Sequence, residues 1–197
     1  MAKITSQIPA QRFETIRDQI GVILTLELAA QTEAASFNVW SERFIPFDTS
    51  ELDAINVLFD NASYENHNPK DRDGEDQYFI DILVNAKHTG NTKAKKGDTI
   101  ARKKVSRVAG IVAYILSSAE YYTLGFVPGI IGSRWVSDIV VGVISDQDAT
   151  HTAAARVTFK VKAREIVGDL TGVLLTEINS QVKLNETDKG FLYELIT

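Results

Sequence analysis

The chain reads as an α+β domain: a mostly antiparallel sheet of four to five strands, two main helices packed on one face, and a C-terminal extension. Three patterns predict this. Ala54 to Asn61 and Gln77 to Ala86 alternate with period two around a long polar stretch, two other segments carry apolar residues at helical spacing, and Ala153 to Glu165 alternates without a break. The domain is expected over 1–165 and the extension over 166–197, packed on the domain or on a neighbouring subunit.

The first helix is expected to begin near Pro9, whose missing N–H suits a first helical turn. Phe13, Ile16, Ile20, Ile23, Leu24 and Leu28 form its apolar stripe, and Arg12, Glu14, Arg17 and Asp18 fall mainly off it. A strand follows over Asn38 to Ile45 and ends at Pro46, which lacks a ladder donor. Next come the two alternating segments. Ile55, Val57 and Phe59 share one face of the first, and Tyr78, Ile80, Ile82 and Val84 share one face of the second. The polar stretch between them, Tyr64 to Asp76, makes them an antiparallel hairpin with a projecting tip. Asn66, His67, Lys70, Asp71, Arg72, Asp73 and Glu75 are the exposed candidates for partner recognition on that loop.

A polar, locally basic loop, His88 to Gly97, precedes a second helix expected to be capped by Asp98. Ala101, Val105, Val108, Val112, Ile115 and Leu116 give its buried face. Arg102, Lys103, Lys104 and Arg107 crowd its early positions, where cations oppose the helix dipole. They are either a solvated basic face or are matched by partners outside the helix. The glycine-rich segment Tyr121 to Ser133, with three glycines and a proline, cannot be a regular element for long and is expected to be a packing turn. Trp135 to Ile144 is nearly continuous in apolar residues, and is expected to be buried on both faces or sandwiched by a neighbouring subunit.

The last strand puts Ala153, Ala155, Val157, Phe159, Val161 and Ala163 on one face, and the row Arg156, Lys160, Lys162 and Arg164 on the other. Alternate side chains on a strand are about 7 Å apart. Four cations so spaced need water or anions opposite them, and three sources can supply anions. These are carboxylates of the same subunit such as Asp138 or Asp81, acidic loops of a neighbouring subunit, or DNA. The carboxylates are favoured over DNA because the chain is acidic, with net charge -5.

Composition narrows the chemistry. The chain has 197 residues, 44% apolar and 24% charged, enough for a real core. A pI near 5.3 argues against a dedicated nucleic-acid binder. The absence of cysteine removes disulfides, thiolate metal sites and cysteine nucleophiles. No apolar run approaches the roughly 20 residues that span a bilayer, so a soluble protein made in a cytoplasm, with no membrane partner, is expected. His67, His88 and His151 fall in expected loops, far apart in sequence. Asp71 to Asp76 has its glycine at the fourth place, where a calcium-binding EF-hand loop has it at the sixth. Gly125 to Gly132 lacks the Lys-Ser/Thr of a phosphate-binding loop, and Ser133 does not stand in a Gly-x-Ser-x-Gly elbow. No catalytic residue, metal or cofactor is therefore expected.

Several short stretches carry a resemblance. Arg43-Phe44-Ile45-Pro46-Phe47-Asp48, Leu52 to Val57, Gly97-Asp98-Thr99, Leu124-Gly125 with Gly129-Ile130-Ile131-Gly132, and Val161 to Glu165 together resemble the tail terminator (tail completion, or neck) proteins of tailed bacteriophages. The likeness runs from about Pro9 to Glu165 and rests on element order and these motifs. It implies a structural virion protein of the tail or neck: a ring, expected to be a homo-hexamer, that ends polymerisation of the tail tube or sheath and joins the tail to the head-tail connector. The alternative is a neck or head-completion protein that contacts DNA in the channel through the basic strand face.

Overall fold

The computed structural model describes residues 8–45, 47, 51, 53–65, 71–85, 94–142 and 152–166. They fall in one compact unit, Met1–Ile166. Apart from Ile166, the expected C-terminal extension lies outside the described residues, as do Asn66, His67, Lys70, His88 and His151.

The elements run α1 (Arg12–Ala29), β1 (Asn38–Ser41), β2 (Ala54–Glu65), β3 (Asp71–Asn85), α2 (Ala94–Ser117), a single 3-10 turn (Ala119–Tyr121), β4 (Ile131–Val141) and β5 (Thr152–Ile166). The five strands form one sheet in the order β1-β2-β3-β5-β4. Three of its pairings are antiparallel and β1–β2 is parallel, so the sheet is mixed within an α+β fold. The expectation of a mostly antiparallel five-stranded sheet with two helices is borne out.

The apolar periodicities place the core. Ile16, Ile20, Ile23, Leu24 and Leu28 of α1 and Val105, Val108, Val112, Ile115 and Leu116 of α2 are buried. They meet Ile55, Val57, Tyr78, Ile80, Ile82, Val157, Phe159 and Val161 from one face of the sheet. Burying one such aliphatic or aromatic side chain contributes roughly 1.5–3 kcal/mol. The register sets Ile55 opposite Ile82, Val57 opposite Ile80, and Ile80 opposite Val157, so the alternation on three strands lands on one face.

Several boundaries differ from expectation, each for a local reason. α1 begins at Arg12, because the Glu14 carboxylate accepts the Gln11 backbone N–H at 2.6 Å and fixes the cap there rather than at Pro9. β1 stops at Ser41, because Glu42 takes φ 55, which ends the extended run. Its ladder is continued by a side chain. Asn56 accepts the Arg43 N–H at 3.2 Å and donates to the Arg43 carbonyl at 2.8 Å. α2 begins at Ala94, so Asp98 lies inside the helix and is not its cap; Ala94, Lys95 and Lys96 are good helix formers. Among the described residues β4 is an edge strand with Ile139 and Val140 exposed, so its part of this segment is not buried on both faces by them.

The largest difference lies in the hairpin. β2 runs on to Glu65 and β3 starts at Asp71, so Asp71, Arg72, Asp73 and Glu75 are strand residues and not a projecting loop. β3 pairs with β5 from Asp71 and with β2 from Asp73, which makes it the central strand and pairs its backbone on both sides from Asp73 onward. The glycine-rich segment forms packing turns as far as Ile130, while Ile131, Gly132 and Ser133 already belong to β4. Leu124 is fully buried, and Gly125 and Gly129 hold φ 80 and 96, a region open to glycine without strain.

α1 is fastened to this strand by a buried ion pair. Arg12 Nε donates to Asp76 Oδ2 at 2.9 Å and Nη2 to Oδ1 at 2.6 Å, while Nη1 reaches the Ala163 carbonyl at 2.8 Å. Both side chains are almost wholly out of solvent. Next to them the Tyr78 hydroxyl donates to the Phe13 carbonyl at 3.1 Å, and burial, with Asp76 close by, pushes its pKa well above the ordinary phenol value. Gly74 makes room for the pair. A Cβ there would lie 2.1 Å from the Ser63 carbonyl oxygen and 2.9 Å from Arg12 Nη2. Breaking the pair from one side leaves an uncompensated charge, so Arg12→Ala and Asp76→Ala should each cost about 3–5 kcal/mol in urea unfolding, while Arg12→Met with Asp76→Leu should cost far less. A single-variant loss within about 0.5 kcal/mol of wild type would contradict this reading.

Candidate partner-binding surface

The face of the sheet away from the helices carries the predicted cation row. Residues facing one another in the ladder share a side, so Trp40, Asn56, Asp81, Arg156 and Val140 form one line across all five strands. Further along the face, Leu58, Phe79 and Thr158 form a second line, and Gln77, Lys160 and Trp135 a third. Glu75, Lys162 and Ser133, then Asp73 and Arg164, follow.

The cations of β5 therefore look across at carboxylates of β3. Arg156 meets Asp81 with two bonds, Nε–Oδ1 at 2.6 Å and Nη2–Oδ2 at 2.7 Å, and its guanidinium lies 4.3 Å from the Phe79 ring centroid. This fork geometry gives two charge-assisted bonds at once. The bond to Asp81 raises the Arg156 pKa above the ordinary guanidinium value, against the opposing effect of burial. Lys160 reaches diagonally to Glu75 at 2.8 Å, and Arg164 stands 3.7 Å from Asp73 in an exposed pair. Lys162 is the exception. It faces Glu75 in the register, but Glu75 is held by Lys160, and Lys162 is exposed with no ion-pair partner among the described residues.

Of the two in-chain carboxylates expected to face the row, Asp81 does so. Asp138 also lies on this face, opposite Thr158, but makes no ion pair with the row among the described residues and accepts the Ile139 backbone N–H at 2.9 Å. Of the predicted loop residues, Asp73 and Glu75 join the row Arg156, Lys160, Lys162 and Arg164 on this face. Half-buried Leu58, Phe79, Leu83 and Trp135 lie among the charges, so the surface mixes apolar patches with neutralised ion pairs.

Two contacts near this face were not expected from the sequence. Arg134 of β4 donates to the Leu116 and Ser118 carbonyls at the end of α2 and to the Tyr122 carbonyl at 3.2 Å, tying the edge strand to the helix. Its pKa is lowered, chiefly by burial. Arg43 pairs with Glu51 at 2.6 Å and stacks between Trp40 and Phe47, with ring centroids at 4.7 and 4.4 Å. No group of three His, Asp or Glu side chains among the described residues is placed to hold a metal ion. No described helix is long and apolar enough to cross a membrane. In comparison with known proteins, the chain matches no family model and no curated protein sequence.

The pairs on this face differ in worth, and mutation should rank them. Arg156→Ala removes a forked bond and a ring contact and should cost about 1 kcal/mol in urea unfolding. Lys162→Ala should change stability by less than about 0.5 kcal/mol. Equal losses at the two positions would show that the row does not act as described.

Proposed function

We propose that this chain is a structural subunit of a phage tail, forming a hexameric ring that ends polymerisation of the tail tube or sheath and joins it to the head connector. The observation that carries the reading beyond the sequence resemblance is the open outer face of the sheet. Apart from Lys162, the cations of its row are matched by β3 carboxylates, its apolar residues are only half covered, and among the described residues β4 leaves an unpaired edge with Ile139 and Val140 exposed. Such a surface suits packing against other protein. An unpaired strand edge in particular invites a neighbour unless something blocks it.

A DNA-contacting neck protein is the second reading. Lys162 speaks for it, as the one member of the row without an ion-pair partner among the described residues. Against it, Arg156, Lys160 and Arg164 each face a carboxylate of β3, which lowers the positive potential a phosphate backbone would meet.

Disabling the gene in the producing phage should give tails of irregular length, or tails that do not join heads, when lysates are viewed by electron microscopy. Tails of normal length on filled heads would sink the proposal. Lys162→Glu, which leaves the in-chain pairs intact, should weaken joining without lowering the melting temperature. If it instead gave joined particles that failed only to retain or eject DNA, the face would line the channel.

A further inference from the structure

The exposed stripe of α2 has a charge order of its own. Lys103, Arg107, Gly110, Tyr114 and Ser117 are all exposed and recur at three- and four-residue steps, so they line one side of the helix. Within the chain, Arg107 is matched by Glu33 at 2.6 Å and the neighbouring Lys104 by Asp53 at 2.5 Å. Lys103 and Arg102 have no ion-pair partner among the described residues. With the helix beginning at Ala94, they lie two turns inside it, where the dipole matters little, so the dipole mismatch read from the sequence does not account for them.

The other end of the stripe is concave and carries two carboxylates. A groove of about 590 Å³ opens between the last turns of α1 and α2 and reaches back to Gly110, with Glu27, Glu120, Tyr114 and Tyr121 in its walls and Arg107, itself bonded to Glu33, at its edge. The Tyr121 hydroxyl donates to the Glu27 carboxylate, which keeps the phenol protonated and raises its pKa. Glu120 is exposed and has no cationic partner among the described residues. α1 ends here with no basic residue in its last turn, adding the negative end of its dipole. From Lys103 to the 3-10 turn is roughly 25 Å along the chain's helical rise. Lys103 therefore cannot reach Glu120 within one molecule.

Both ends lie on one side of one helix, with Gly110 midway between Lys103 and Ser117. A Cβ at Gly110 would meet nothing within 4 Å, so the helix surface is bare at that point. We propose that two copies of this chain pair through antiparallel α2 helices crossing at Gly110, with Lys103 of each copy seated in the Glu27–Glu120–Tyr114 groove of the other. A surface whose two halves are complementary and related by reversal about its centre is what a two-fold contact requires. The bare glycine permits close approach of the helices, and the tyrosine rings add cation–π attraction to the carboxylates. Such a contact joins two copies and stops, so it stands apart from the ring proposal and survives or fails independently of it.

The chain has no cysteine, so introduced thiols report cleanly. Gly110→Cys lies on the proposed axis and should cross-link to itself with a short bis-maleimide. Lys103→Cys and Ser117→Cys should cross-link strongly only when the two single variants are mixed. Sedimentation should show wild-type dimers that weaken as salt rises. Gly110→Leu should be monomeric at protein concentrations where the wild type is mostly dimeric, with an unchanged circular dichroism spectrum and melting temperature. Lys103→Glu should weaken pairing at least tenfold, and adding Glu120→Lys to it should recover most of the loss. A monomeric wild type, or Gly110→Leu dimers as stable as the wild type's, would overturn the inference.

Discussion

The ion pair between Arg12 and Asp76 organises the domain. It sits at the first turn of α1, on the central strand β3, and its remaining donor reaches β5, so one guanidinium fixes the helix relative to two strands. Removing two charges from water is costly, and the cost is offset only when the geometry is good and the remaining donors are satisfied. Here both carboxylate oxygens take a bond and the third guanidinium nitrogen finds a carbonyl. A shift of α1 by one residue would leave the same charges buried without partners. The pair therefore selects one placement of the helix, whereas the aliphatic contacts below it, from Ile16 to Leu28, would tolerate others.

The two faces of the sheet treat charge differently. On the helix side a single pair is sealed from solvent and gives specificity of packing. On the outer side, the carboxylates of β3 and the cations of β5 form a partly exposed ladder, in which each pair is screened and worth little by itself. A face built this way stays in water without a strong net field, and keeps Leu58, Phe79 and Trp135 available between the charges. Both features follow from β3 being central and alternating from Asp73 to Leu83 between acidic or mixed residues and core residues.

Much of this was legible in the sequence because it depends on periodicity. The stripes of α1 and α2, the core faces of β2, β3 and β5, and the existence of the cation row all came from spacing alone. The same rule, carried further, would have found the ion pair. Arg12, Ile16 and Ile20 are four residues apart, and Asp76 continues the buried set Tyr78, Ile80, Ile82 and Val84 two residues back. Their polarity hid them, since charged residues are rarely buried unless paired, and the partners lie 64 positions apart. The extent of β3 was missed for a related reason. Asp71 to Asp76 has the composition of a loop, and only pairing on both sides, which is a tertiary property, makes it a strand. The parallel pairing of β1 with β2 likewise leaves no local trace. The apolar run from Trp135 misled in the opposite direction, because an edge strand with an exposed apolar end looks like a buried one until its neighbours are known.

The proposed role, one subunit of a closed ring at the end of a tail, is open to a direct test. Electron microscopy of particles carrying an affinity label on this chain, with averaging of the labelled region, addresses it directly. One ring of six copies at the head-proximal end of each tail is the predicted result. Label spread along the tail, confined to the capsid shell, or absent from assembled particles would contradict it.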